Sequence, residues 1–210
     1  MTFAQKERER LGTLLLKVGP AAPTLNDGWL TRDLAAHLFI RERRAWKAGG
    51  LFVGALEGIL DAEMEKQKAR PYEDVVREWA GGPPALVRPF DSKINTAEHF
   101  IHHEDVRRGG GENVPREFSK RVNEELLKWA GRFGKLALKG SPVPVILTPP
   151  NLPPVTVGDK AGVSERGDDV LRVTGEPGEL LLWVSGRTDA AKVELSGAVE
   201  KFGEFEIAGM

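Results

Sequence analysis

Apolar residues recur at helical spacing from the start of the chain. Phe3, Leu11, Leu14, Leu15 and Val18 share one face of a segment stopped by Gly19-Pro20. Thr31 reads as the N-cap of a second helix, with Trp29 as an apolar staple before it. That helix runs through Leu34, Leu38 and Ala45 to a stop at Gly49-Gly50. The pattern predicts further helices over 55–69, 71–79 and 91–108, the last two closed by Gly81-Gly82-Pro83-Pro84 and Gly109-Gly110-Gly111. Pro115 is expected to open one more, with Phe118, Val122, Leu126, Trp129 and Phe133 as its apolar stripe. Beyond Gly140-Ser141-Pro142 the helix formers give way to short β-like runs: VPVIL, VTVGD, DVLRVTG and KVELSG. GELLLWVSGR is a continuous apolar run that periodicity alone leaves as helix or strand, and its scarcity of β-branched residues favours helix. The expectation is an α+β chain, with a helical bundle over 1–139 and a small α/β domain over 140–210.

With 210 residues and 40% hydrophobic content the chain can build a real core. Thirty basic and 31 acidic residues are interspersed, which gives no broad electrostatic footprint for nucleic acid or an anionic membrane surface. The five tryptophans show no spacing suited to stacking on bases and read as packing residues. No apolar run reaches the roughly 20 residues of a membrane span. The N-terminal segment has mixed charges and no small-residue cleavage site, so the expected location is the cytoplasm. Cysteine is absent, which excludes thiolate metal sites and a cysteine nucleophile and leaves imidazole and carboxylate as metal ligands.

The four histidines fall in two predicted helices, His37 in DLAAHLFIRERR and His99, His102 and His103 in NTAEHFIHHEDVRR. Glu98 with His102, and His99 with His103, both have the i, i+4 spacing that puts two ligands on one helical face. With Ile94, Ala97 and Ile101 taken as the core direction, ideal phase puts Glu98, His102 and Asp105 in or beside the core. The same phase puts His99 and His103 at about 140° and 180° from Ile94, toward water. His37 shares an inward stripe with Leu34, Leu38 and Arg41, one turn after Asp33. Buried imidazoles and carboxylates need partners, and one cation bound by His37, Glu98 and His102 would satisfy them together. Two imidazoles and one carboxylate leave a coordination position open, as in catalytic zinc sites. Asp33 or Asp105 could then fix a histidine tautomer. The bland alternatives stay open: a hydrogen-bonded core histidine, and a buried Glu98/His102 salt bridge. Arg41-Glu42-Arg43-Arg44 and Arg107-Arg108 read either as anion-binding groups or as complements to helix dipoles.

Trp29, Asp33, Leu34, His37 and Leu38 reproduce a W-x3-D-L-x2-H-L pattern, and Glu98, His102, His103 and Asp105 an E-x3-H-H-x-D pattern. In both, the chain resembles the DinB-like metal-binding bundles, and within them the mycothiol-dependent maleylpyruvate isomerase family. GEPGELLLWVSGR is similar to the small sterol-carrier-related domain that follows the bundle there. The resemblance implies His37, Glu98 and His102 as metal ligands and a low-molecular-weight thiol as co-reactant. It also implies an arginine of the C-terminal domain that binds an anionic substrate, for which Arg187 is the candidate.

The expected function is therefore thiol-dependent isomerase or transferase chemistry on a small electrophile at a divalent metal. Zinc is the foremost ion, with nickel, iron and manganese also suited to the ligands. Asp105, Asp33 or metal-bound hydroxide would move the proton. The alternative is a non-catalytic metal or small-ligand binding protein. The expected partners are small molecules, with no nucleic acid and no membrane, for a monomer or homodimer.

Overall fold

The computed structural model describes residues 1–43, 57–85, 91–158, 169–203, 205 and 207. It shows the α+β class: helices first, then a small mixed sheet. No helix among the described residues is long and apolar enough to cross a membrane. Packing divides the chain into Met1–Glu112 and Asn113–Met210. Composition put the boundary at 139–140 instead; the helix between the two positions groups with the sheet.

The first unit holds α1 (Phe3–Val18), α2 (Thr31–Arg43), α3 (Glu57–Lys68), α4 (Tyr72–Ala80) and α5 (Asp91–Gly109). Ala45, Trp46, Gly49-Gly50 and Ala55 lie outside the described residues. Leu11, Leu15, Leu34, Leu38, Phe39, Val75, Val76 and Trp79 form its core. α1 packs on α5 and α4, and α2 on α3 and α4. Thr2 caps α1 through a reciprocal capping box with Gln5.

Thr31 does not cap α2. Asp33 does, its Oδ2 accepting from the Leu30 amide at 3.0 Å. Thr31 is the first helical residue, and its hydroxyl accepts from the Ala22 amide and donates to the Gly19 carbonyl at 2.5 Å. The α1–α2 loop is thereby tied to the end of α1. The same loop docks on α5: the Leu25 amide donates to the Asp105 carbonyl at 3.1 Å. At Gly109 a Cβ would stand 2.6 Å from the Pro23 oxygen and the Thr24 Cα, so only glycine admits this approach.

The second unit holds α6 (Lys120–Ala137), β1 (Val145–Thr148), β2 (Val155–Val157), β3 (Leu171–Thr174), α7 (Pro177–Val184), β4 (Glu194–Gly197) and α8 (Val199–Phe202). The four runs expected as strands are β1 to β4. The ambiguous apolar run is α7, opened by Pro177, whose fixed φ suits a first turn. The sheet order is β2-β1-β3-β4, with β1 and β3 parallel and both edge pairs antiparallel. Val145, Leu147, Leu171 and Val173 are fully buried. α6 begins five residues after Pro115, so Phe118 precedes it and the helical stripe starts at Val122. Gly131 and Gly134 let α6 approach β2: an added Cβ would meet Val155 at 3.0 Å and Val157 at 3.1 Å.

Candidate metal centre

α5 is buried on more than one side. Against α1, His99 is 0% exposed, its Nδ1 2.9 Å from the Ala4 carbonyl and its Nε2 2.7 Å from Oε1 of Glu42. His103 is 7% exposed, its Nδ1 2.9 Å from Oε2 of Glu7. The expectation that these two histidines face water is therefore wrong. Of the residues that set the phase, Ala97 and Ile101 are buried and Ile94 is 45% exposed; the stripe marked one buried face of a helix that also buries a second, polar one. The histidines on that side are hydrogen-bonded core residues, and a wider buried network surrounds them. Arg8 pairs with Glu42 and, through two oxygens, with Asp91 at 2.7 and 2.9 Å. Trp79 Nε1 donates to Glu42 at 2.7 Å.

On the side facing α2, His37, Glu98 and His102 come together, each offering one ligand atom, all within 4.8 Å of one another. The spacing explains this: i and i+4 on α5 supply Glu98 and His102, and α2 supplies His37 opposite them. The His37 and His102 rings meet edge to face at 5.3 Å, and the Trp29 ring lies 5.3 Å from His37. His102 Nε2 stands 3.5 Å from Oε2 of Glu98. That is long for a hydrogen bond. Two ligands sharing a tetrahedral ion at bonds of about 2.1 Å stand about 3.4 Å apart, so this separation fits joint ligation.

The surroundings set the charge of each candidate ligand. Burial, then the positive charges of His102 and Arg41, push the His37 imidazole down to about 3, which keeps it neutral. Burial opposes the Glu98 carboxylate, but His102 and Arg41 outweigh it and hold it down at about 2, ionised. Burial likewise opposes the His102 imidazolium, yet Asp105 and Glu98 raise its pKa above the ordinary value. To ligate through Nε2, His102 must shed a proton and keep the one on Nδ1, which the fully buried Asp105 accepts at 2.9 Å. This is the carboxylate–imidazole support that metal-binding histidines commonly have. The donor set, once His102 has lost its Nε2 proton, fits a divalent ion.

The remaining candidates divide. Asp105 is not a member of the cluster and touches it through the His102 ring. Asp33 is occupied by the Leu30 amide and by Lys68 at 2.7 Å and lies outside the cluster; it neither orients a ligand nor completes the set. Arg187 belongs to the C-terminal unit, where it is buried and donates to the Ser185 carbonyl at 2.7 Å. Arg107 and Arg108 pair with the buried Glu104 of their own helix at 2.8 and 2.7 Å, and Arg43 donates to the Gly82 carbonyl. Arg44 lies outside the described residues. Sequence reasoning put Arg41 on the His37 stripe but did not foresee its contacts with Glu98 and Asn95; its i+4 spacing from His37 was the available signal. Comparison with family models, curated proteins and solved structures finds no match for this chain.

Proposed function

We propose that the protein is a divalent-metal-dependent, thiol-dependent isomerase or transferase acting on a small electrophile, with His37, Glu98 and His102 holding the ion. What supports the metal is one observation: two imidazoles and a carboxylate, drawn from two helices, converge to within 4.8 Å. What supports the thiol is the likeness of the Trp29 to Leu38 and Glu98 to Asp105 motifs to the mycothiol-dependent maleylpyruvate isomerases, together with a chain that has no cysteine of its own. A bound ion would lower the pKa of a coordinated thiol or water and so supply a nucleophile near neutral pH. The chain's own residues prepare the place. His37 presents a neutral ring with Trp29 against it, Glu98 is ionised, and Asp105 fixes the His102 tautomer. We place this chemistry in the cytoplasm, on small molecules, in a monomer or homodimer.

The test is elemental analysis of protein purified without chelator or affinity-tag metal, followed by turnover assays pairing low-molecular-weight thiols with maleylpyruvate, epoxide or alkylating substrates. Stoichiometric metal with thiol-dependent turnover is expected. Stoichiometric metal without turnover favours the binding-protein alternative, and protein that takes up no divalent ion overturns the reading.

A further inference from the structure

Glu98 has two carboxylate oxygens in different surroundings. Oε2 faces His102 within the cluster. Oε1 faces the guanidinium of Arg41, with Nη2 at 3.3 Å. Arg41 lies one helical turn beyond His37 on α2, and it does not hang free. Its Nη1 donates to Oδ1 of Asn95 at 2.5 Å, and its Nη2 reaches the Ile94 carbonyl at 3.4 Å. The Asn95 amide is fixed in turn, because its Nδ2 donates to Asp91, an acceptor, leaving only its oxygen for Arg41. Asp91 is anchored by Arg8. The guanidinium is thus a planar fork clamped on one prong and set against one oxygen of a candidate ligand.

We propose that Arg41 is a positioning residue that reserves Oε1 of Glu98, restricting this carboxylate to ligation through a single oxygen and biasing the site toward ions of low coordination number. This rests on the metal reading above. A carboxylate free to bind through both oxygens adds a ligand and favours ions content with six or more oxygen-type contacts; one held to a single oxygen suits zinc. Arg41 also places a positive charge beside the ion, which disfavours all dications alike. Removing that charge strengthens the binding of each, so absolute affinity is the wrong readout. The charge effect cancels in the ratio of two dication affinities, which reports the geometry.

The experiment measures zinc and manganese dissociation constants by competition with a chromophoric chelator, and the visible absorption of the cobalt-loaded protein, for wild type, Arg41→Gln and Arg41→Lys. In Arg41→Gln the preference for zinc over manganese is expected to fall by about ten-fold, the low end of what supporting residues around metal sites contribute. The cobalt bands should weaken as the coordination number rises. Arg41→Lys keeps the charge but cannot bridge Asn95 and Glu98, so it should move in the same direction by less; it serves if the glutamine variant does not fold. An unchanged ratio and an unchanged cobalt spectrum in a folded variant overturn the role of Arg41 while leaving the metal reading standing. Wild-type protein that binds neither ion overturns both.

Discussion

Nδ1 of His102 stands 2.9 Å from Oδ2 of Asp105, three residues on along the same helix. The carboxylate can only accept, so it selects the tautomer whose free lone pair is on Nε2, facing Glu98. Asp105→Asn keeps the shape but can offer an N–H to Nδ1, which turns the lone pair away from the cluster. Metal affinity is expected to fall by about 10- to 100-fold, read by competition titration. His37→Ala and His102→Ala should abolish stoichiometric binding. An asparagine variant with wild-type affinity would remove Asp105 from any role at the site.

His103 supplies the contrasting case. It carries the same i, i+4 relation to His99 that His102 has to Glu98, but its partner is Glu7 on α1. His103→Ala should leave metal stoichiometry intact. It should cost about 1 to 3 kcal/mol of stability, because the fully buried Glu7 loses a partner. Metal analysis beside denaturant unfolding of the metal-free protein separates this from a ligand role, for which the metal stoichiometry would fall.

Arg8 is the hub of the buried network between α1, α2 and α5, pairing with Glu42 and Asp91 and lying over the Trp79 ring at 5.9 Å. Arg8→Ala takes the guanidinium from two buried carboxylates, leaving Glu42 with His99 and Trp79 and Asp91 with Asn95, and is expected to cost about 3 kcal/mol. Chemical denaturation of the purified variant provides the measurement, and a loss below 1 kcal/mol, about the value of an exposed pair, would mean that water reaches these groups.

The same network sets an acid limit. Burial works against the charged forms of Glu42 and Asp91, but His99 and Arg8 around Glu42, and Arg8 and Asn95 around Asp91, hold both below their ordinary values of 4.5 and 3.8. Depressed folded-state values mean that the unfolded chain takes up protons first. Their contribution is complete above about pH 4.5 and is lost as pH falls through the folded values. Melting temperature should therefore be insensitive to these groups between neutrality and pH 4.5 and drop below it. Asp91→Asn should shrink the drop.

The C-terminal unit depends on close helix–sheet contact at Gly134. Alanine normally favours a helix over glycine by up to about 1 kcal/mol. Here the new methyl would meet Val157, whose Cβ and both Cγ atoms lie 3.1 to 3.3 Å away. A buried β-branched side chain has little freedom to retreat, so Gly134→Ala is expected to destabilise by about 1 to 3 kcal/mol, measured by thermal or denaturant unfolding.

Much of this architecture is legible in the residues. The β-like runs and the apolar α7 segment could be read because valine content, glycine boundaries and proline at a first turn act locally. The pairing of Glu98 with His102 could be read because i, i+4 geometry is rigid, and His37 could be matched to them because it shares the inward stripe of Leu34 and Leu38. What could not be read was the burial of His99 and His103. Hydrophobic phase assumes that buried faces are apolar, and α5 buries Asp91, Asn95, His99, His103 and Glu104 against partners supplied by other helices or by its own next turn. Those partners, Arg8, Glu42 and Glu7, lie more than fifty residues away in sequence and leave no local trace. Asp33 misled for a related reason: a carboxylate at the third position of a helix is as readily used by the backbone as by a neighbouring ring.

Gly109 carries a consequence at a distance. Its missing side chain seats the 19–30 loop on α5, the loop delivers Trp29 to the His37 ring, and it bonds to the carbonyl of Asp105. On the metal reading proposed above, ion capture would depend on a residue that offers no donor atom to the cluster: a Gly109→Val chain would keep His37, Glu98 and His102 in its sequence and is expected to lose their alignment.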